Sequence, residues 1–289
     1  MDIRNISDTA RLTATYRAGE SARPDALFRD PLAGRLAGES GRTLRDTASP
    51  ALRDGWAVVT RTKLVDDLIA AAVREGCDRV LSLAAGLDTR PYRLALPADL
   101  VWIEADLPEL VDEKDAALAA ERPGCIVRRH GLDLRDRSAL VHFLDETLGA
   151  RANRGSAAPR ALVLTEGLLI YLGHSTVADL AHAFARPEMC WWITDITLGG
   201  AHSGLASAFE DGPRFDPADG IGFFEECGWR PLEVENLVVQ GGRYRRAPQE
   251  LWHFAELPQQ IPRSNEIPWS GVARFRQEAP DRGPRGRTR

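Results

Sequence analysis

Apolar and polar positions along this chain switch between two periods. From Ala51 to Glu75 the apolar residues Trp56, Val59, Leu64, Leu68, Ile69 and Ala72 recur at helical spacing, and Gly76 stops the run. Short apolar runs then follow at intervals, over Arg79 to Leu83, Leu100 to Ala105, Ile126 to Arg129, Ala161 to Thr165 and Trp191 to Ile196. Runs of that length read as buried strands. Between them lie helical patterns over Pro108 to Ala120, Ser138 to Leu148 and Thr176 to Phe184. This alternation predicts a parallel sheet with helices on both faces. A last helix is expected over Phe215 to Cys227, stopped by Gly228. Two more strands are expected over Leu232 to Val239 and Glu250 to Leu257, paired antiparallel across the turn-rich GGRYRRAPQ. The resulting fold class is α/β and Rossmann-like, with a seven-stranded, mostly parallel sheet.

The first 50 residues break that rhythm. Ser7 or Asp8 is a candidate cap for a helix through Tyr16, and a short helical piece is expected over Pro31 to Ala37. Leu27, Phe28 and Leu32 favour packing of this leader on the main body. The expected organisation is a helical extension over 1–50, a main domain over 51–260 and a tail over 261–289. Arg151 to Arg160 reads as a polar loop, and the Gly-, Ser- and Pro-rich Gly199 to Asp219 as a lid or loop.

Composition narrows the function classes. A formal charge of -5 carries no sign of a nucleic-acid partner. Only Lys63 and Lys114 are lysines, so the many arginines, including those of Arg282 to Arg289, read first as codon bias. Cys77, Cys125, Cys190 and Cys227 form no C-x-x-C pair, and no metal site is expected. No apolar run reaches the roughly 18 residues of a membrane span, and MDIRNISDTARL lacks a signal-peptide core, so the expectation is a cytoplasmic protein without membrane partners.

The chemistry centres on Val80 to Asp106, a strand, the small-residue turn Ala84-Ala85-Gly86, a short helix and a second strand ending in acids. Against the dinucleotide fingerprint, Ala84 stands at the first glycine and Thr89 at the third, and Asp88 lies where a pyrophosphate needs donors. Those mismatches weigh against NAD. S-adenosylmethionine has no phosphate and tolerates an acid there. Asp106, 20 residues beyond Gly86, fits the acid that accepts from ribose hydroxyls.

In order along the chain, RTKLVDDLI, VLSLAAGLDTRPYRL, IEADLPELVDEK, LDLRD and LTEGLLIYL resemble the leucine carboxyl methyltransferase family, and especially its bacterial branch of polyketide O-methyltransferases. The leader ESARPDALFRDPLAGRLAG is similar as well. The resemblance spans about Tyr16 to Asp195. It implies a class I methyltransferase fold and S-adenosyl-L-methionine as cofactor. It also implies that Arg61 pairs with the methionyl carboxylate and serves the acceptor, that Gly86 lets the cofactor approach and that Asp88 and Glu166 face the methionyl end. By the same resemblance Arg90 braces the site, Asp133 and Leu134 flank the adenine, and Tyr171 lines the transfer pocket. Ala84 departs from the family's usual glycine.

The expected reaction is methyl transfer to a carboxylate, or a hydroxyl, of a small molecule such as a polyketide. A carboxylate needs no base; a hydroxyl would use one, with His174 and His202 as candidates. Tyr16 and Arg17 are candidates to cap the pocket. A monomer or weak homodimer is expected. The alternatives are an NAD-dependent oxidoreductase and a non-catalytic binding protein; a hydrolase lacks its G-x-S-x-G elbow.

Overall fold

In the computed structural model, the structure describes residues 6–48, 54–149, 158–200 and 215–277. Its centre is a seven-stranded sheet in the order β3-β2-β1-β4-β5-β7-β6. The strands are β1 (Arg79–Leu83), β2 (Val101–Asp106), β3 (Ile126–Gly131), β4 (Ala161–Thr165), β5 (Met189–Leu198), β6 (Trp229–Asn236) and β7 (Trp269–Gln277). The first five run parallel, and β7 pairs antiparallel with both β5 and β6.

Burial explains which runs became which strands. All five residues of β1 and of β4 are buried, as central strands covered on both faces require. β3, at one edge, alternates exposed and half-buried positions. The intervening helices are α3 (Trp56–Arg74), α4 (Arg90–Arg93), α5 (Pro108–Leu118), α6 (Arg137–Gly149) and α7 (His174–Phe184). Leu81 and Leu83 point to one face, among Phe143, Leu144, Leu180 and Phe184 of α6 and α7. Val80, Leu162 and Leu164 point to the other, among Leu64, Val65, Leu68 and Ile69 of α3.

The leader holds α1 (Ile6–Ser21) and α2 (Ala33–Thr47), the latter kinked at Gly38 with φ 61°. Ser7 and Asp8 therefore lie inside the first turn of α1 rather than before it. The leader shares its cores with the main body. Leu12, Tyr16, Phe28 and Leu44 pack with Val58 and Val59 of α3, and Ala14, Leu36 and Ala37 with Leu87 and Leu118.

The C-terminal third corrects the sequence expectations. The helix expected over 215–227 shrinks to α8 (Gly222–Glu226). Residues 237–239, expected to end a strand, instead open α9 (Leu237–Arg243), whose first N–H groups donate to the Asn236 side chain. Residues 250–257 are not a strand; Gln249–Glu256 is a 3-10 helix. The second antiparallel strand is β7, within the stretch 261–289 expected to be tail. The polar loop over 151–157, most of the Gly199 to Asp219 segment and residues 278–289 lie outside the described residues. Among the described residues no helix is long and apolar enough to cross a membrane.

Candidate functional site

Strand order reverses between β1 and β4, so a crevice opens beyond their carboxyl ends. There lies a cavity of about 430 Å³. Its floor is the turn that follows β1. Ala84 holds φ 51° and Gly86 φ 47°, both in the left-handed region. At Gly86 that positive φ is what favours glycine; a Cβ there would only touch Ala10 of α1, at 3.4 Å.

Asp106 ends β2 beside this turn. Its Oδ2 accepts the Gly86 N–H at 2.6 Å and its Oδ1 the Leu107 N–H at 2.8 Å. Burial pushes its carboxyl up, and those two bonds oppose the shift.

Arginines and carboxylates alternate along the crevice. Arg61 of α3 donates from Nε to Glu166 at 2.9 Å and from Nη1 to Asp195 at 2.9 Å. Arg90 reaches Glu166 at 2.7 Å, Asp88 at 3.0 Å and Asp66 at 2.7 Å. Arg93 grips Asp66 with two nitrogens at 2.6 and 2.8 Å. Burial works against the charges of Asp88 and Glu166. For Asp88 the neighbouring Arg90, Lys114, Arg93 and Arg17 outweigh it, and for Glu166 Arg90 and Arg61 do, so both carboxyls sit below their ordinary range. The pairs likewise hold Arg61 and Arg90 charged against the cost of burial.

Arg61, Ala84, Gly86, Asp88, Arg90, Asp106, Asp133, Leu134, Glu166 and Tyr171 all line the cavity. Asp133 is less sheltered than the others. Its side chain is 38% exposed and tied to Arg135 at 2.7 Å, which holds its carboxyl low. Burial pushes the Tyr171 phenol up, opposed by Thr9 and Arg61. His174 is not in the lining; it is the first residue of α7, exposed, with its ring 5.4 Å from that of Phe215. His202 lies outside the described residues. Of the two leader candidates Arg17 lines the cavity, whereas Tyr16 packs over Gly55.

Three contributors escaped the sequence reading. Thr9, Ala10 and Thr13 of α1 form one wall. Asp195 accepts the Gly167 N–H at 2.6 Å while holding Arg61. Asp66 anchors Arg90 and Arg93. An acid inside the apolar run WWITDIT was a readable signal for Asp195; nothing in the spacing marked the α1 residues.

Comparison with known proteins accords with this arrangement. The profile of the leucine carboxyl methyltransferase family matches residues 10–185. A provisionally named S-adenosyl-L-methionine-dependent methyltransferase of Parafrankia sp. (strain EAN1pec) is 37% identical over 282 residues, covering 85% of this chain and 84% of the relative. A second, of Streptomyces coelicolor, is 33% identical over 246 residues, covering 76% and 82%. Among solved structures, a DUF574 family protein from Streptomyces avermitilis superposes with a TM-score of 0.55 at 13% identity, covering 94% of this chain and 97% of that one. A provisionally named methyltransferase from Thermobifida fusca does so at 0.54 and 16%, covering 93% and 94%. This chain belongs to the leucine carboxyl methyltransferase family, S-adenosylmethionine-dependent methyltransferases of the class I fold.

Proposed function

We propose that the protein methylates an oxygen of a small molecule, a carboxylate in preference to a hydroxyl, as in the finishing steps of polyketides or other secondary metabolites. The observation that carries the choice of oxygen is the chemistry of the cavity wall. Its titratable lining residues, among those described, are arginines, aspartates, a glutamate and Tyr171; no histidine, cysteine or lysine is there. Asp88 and Glu166 are held low, Asp106 is raised but already accepts two backbone N–H groups, and the Tyr171 phenol is pushed up, so none of them suits a base working near neutral pH. A carboxylate acceptor arrives already ionised and asks for no base.

The residues present fit S-adenosylmethionine. A side-chain-free turn at Gly86 admits close approach, and Asp106 offers a carboxylate to a ribose beside it. Arg61 has its Nη2 outside its two acid contacts and would take the methionyl carboxylate. Asp88 and Glu166 would face the ammonium, and Asp133 and Leu134 the adenine. Tyr171 and the α1 wall would bound the acceptor's side. When bound, the cofactor supplies an electrophilic methyl on a sulfonium. The protein's own task is to align acceptor and methyl and to exclude water. We expect a cytoplasmic monomer or weak homodimer.

Titration calorimetry tests the reading. Heat is expected with S-adenosylmethionine and S-adenosylhomocysteine and none with NAD. Arg61→Ala and Asp106→Ala are each expected to weaken cofactor binding by tenfold or more, about the value of one hydrogen bond to a charged group. Wild-type affinity in both variants would sink the assignments. A screen of carboxylic and phenolic metabolites with labelled cofactor decides the acceptor; labelling of phenols alone would overturn the carboxylate preference.

A further inference from the structure

The leader does more than cover the sheet. Asp30 sits in the loop between α1 and α2, and its side chain is fully buried. Its Oδ2 accepts from Arg17 Nε of α1 at 2.9 Å and from the Thr89 hydroxyl at 2.7 Å. Its Oδ1 accepts the Ala33 N–H that opens α2, at 3.1 Å. Arg17 in turn donates from Nη2 to the Leu87 carbonyl at 2.6 Å. One carboxylate therefore ties together both leader helices and the turn that floors the cavity.

Both structures it ties are walls of the site. Thr9, Ala10, Thr13 and Arg17 of α1 face the cavity, as do Leu87 and Asp88 of the turn. Thr89 stands directly before α4, whose first residue is Arg90. Any shift at Thr89 moves Asp88 on one side and Arg90 on the other, and through Arg90 it reaches Glu166. The Arg93 guanidinium closes the circuit, with Nε 3.8 Å from Asp30 and the other end on Asp66. From α1 to β5, alternating charges form one chain: Arg17, Asp30, Arg93, Asp66, Arg90, Glu166, Arg61, Asp195.

We propose that Asp30 is a positioning residue for cofactor binding. It fixes the cofactor turn through Thr89 and clamps α1 against it through Arg17, so that closure of the leader and occupation of the turn are coupled. This rests on the S-adenosylmethionine reading above. Asp30 touches no part of the cavity itself; it acts by holding groups that do.

The test uses the full chain in calorimetry and hydrogen exchange with S-adenosylmethionine. Asp30→Asn is expected to raise Kd about tenfold, the value of one charged-group hydrogen bond. Thr89→Val, which replaces the hydroxyl by a methyl group, is expected to raise Kd about threefold. The double variant is expected to raise Kd by less than the two single effects combined, because Asp30 and Thr89 share one hydrogen bond. In the wild type, bound cofactor is expected to slow exchange both in residues 84–89 and in residues 9–17. In Asp30→Asn it is expected to slow the first and not the second, a result that mere loss of stability does not give. Should Asp30→Asn fail to fold, Thr89→Val carries the test alone. A wild-type Kd in Thr89→Val, or an α1 still protected by cofactor in Asp30→Asn, overturns the proposal. No binding by the wild type instead removes the cofactor reading and this inference with it.

Discussion

Beneath β5 and β7 the protein packs rings against rings; beyond the ends of β1 and β4 it packs arginines against carboxylates. In the first region Trp192 lies within 5.5 Å, centroid to centroid, of Phe184, Phe224 and Trp229, mostly edge to face. Its indole N–H donates to Thr165 at 2.8 Å, so the block buries little unmet polarity. In the second, each charge is satisfied only by particular neighbours, and removing one strands the others. The aromatic block stabilises without regard to a ligand. The ionic chain spends part of its stability holding Arg61 and Glu166 at the cavity wall.

The largest way to test that division is Trp192→Ala. It is expected to cost about 3–5 kcal/mol in denaturant unfolding, as for other large aromatic truncations. The cofactor Kd of the folded fraction is expected to stay near wild type, and a large change in Kd would blur the two regions.

Glu166→Gln comes next and probes the other side. Glu166 is paired with both Arg61 and Arg90, and its replacement is expected to cost about 3 kcal/mol near neutral pH. The sign with pH follows from its lowered folded pKa. Its contribution is fully present above the unfolded value, 4.5, and is lost as pH falls through the lower folded one. The gap between wild type and Glu166→Gln in denaturant unfolding should therefore narrow below about pH 4.5 and close in stronger acid. A gap that stays constant down to pH 3 would contradict a charge-based role.

How legible each region was in the sequence follows the same line. The limits of β1 and β4 could be read from their apolar runs alone, since strands buried on both faces must be continuous. β7 hid because it carries Arg274, 3% exposed at its side chain, paired with Glu75 and Glu233. In the sequence WSGVARFRQ that arginine looks like surface, and a basic stretch follows it. Conversely, ELWHFAEL has the apolar content of a strand but forms a 3-10 helix with no residue buried. At the site, the turn and its acids were visible because they are local. Asp30, Asp66 and Asp195 were not picked out, because their meaning depends on partners 13 to 134 residues away.

The smallest effect expected is at Ala84. A left-handed alanine costs about 1 kcal/mol relative to glycine, and glycine returns about half of that by freeing the unfolded chain. Ala84→Gly is expected to raise the melting temperature by about 1–2 °C. Ala84→Val, with a branched side chain at the same φ, is expected to lower it. A melting temperature unchanged by either would mean that the turn absorbs the methyl without strain.

The position of β7 has a consequence for how the chain is made. It is the last described strand in sequence, yet it sits between β5 and β6. During synthesis, about 5–20 residues are added each second, so β5 and β6 leave the ribosome several seconds before their common neighbour. For that interval two strands carry open edges, the feature that invites pairing with other chains. Arg274, projecting from β7 to Glu75 and Glu233, rewards only the correct insertion, so the final strand arrives bearing its own address.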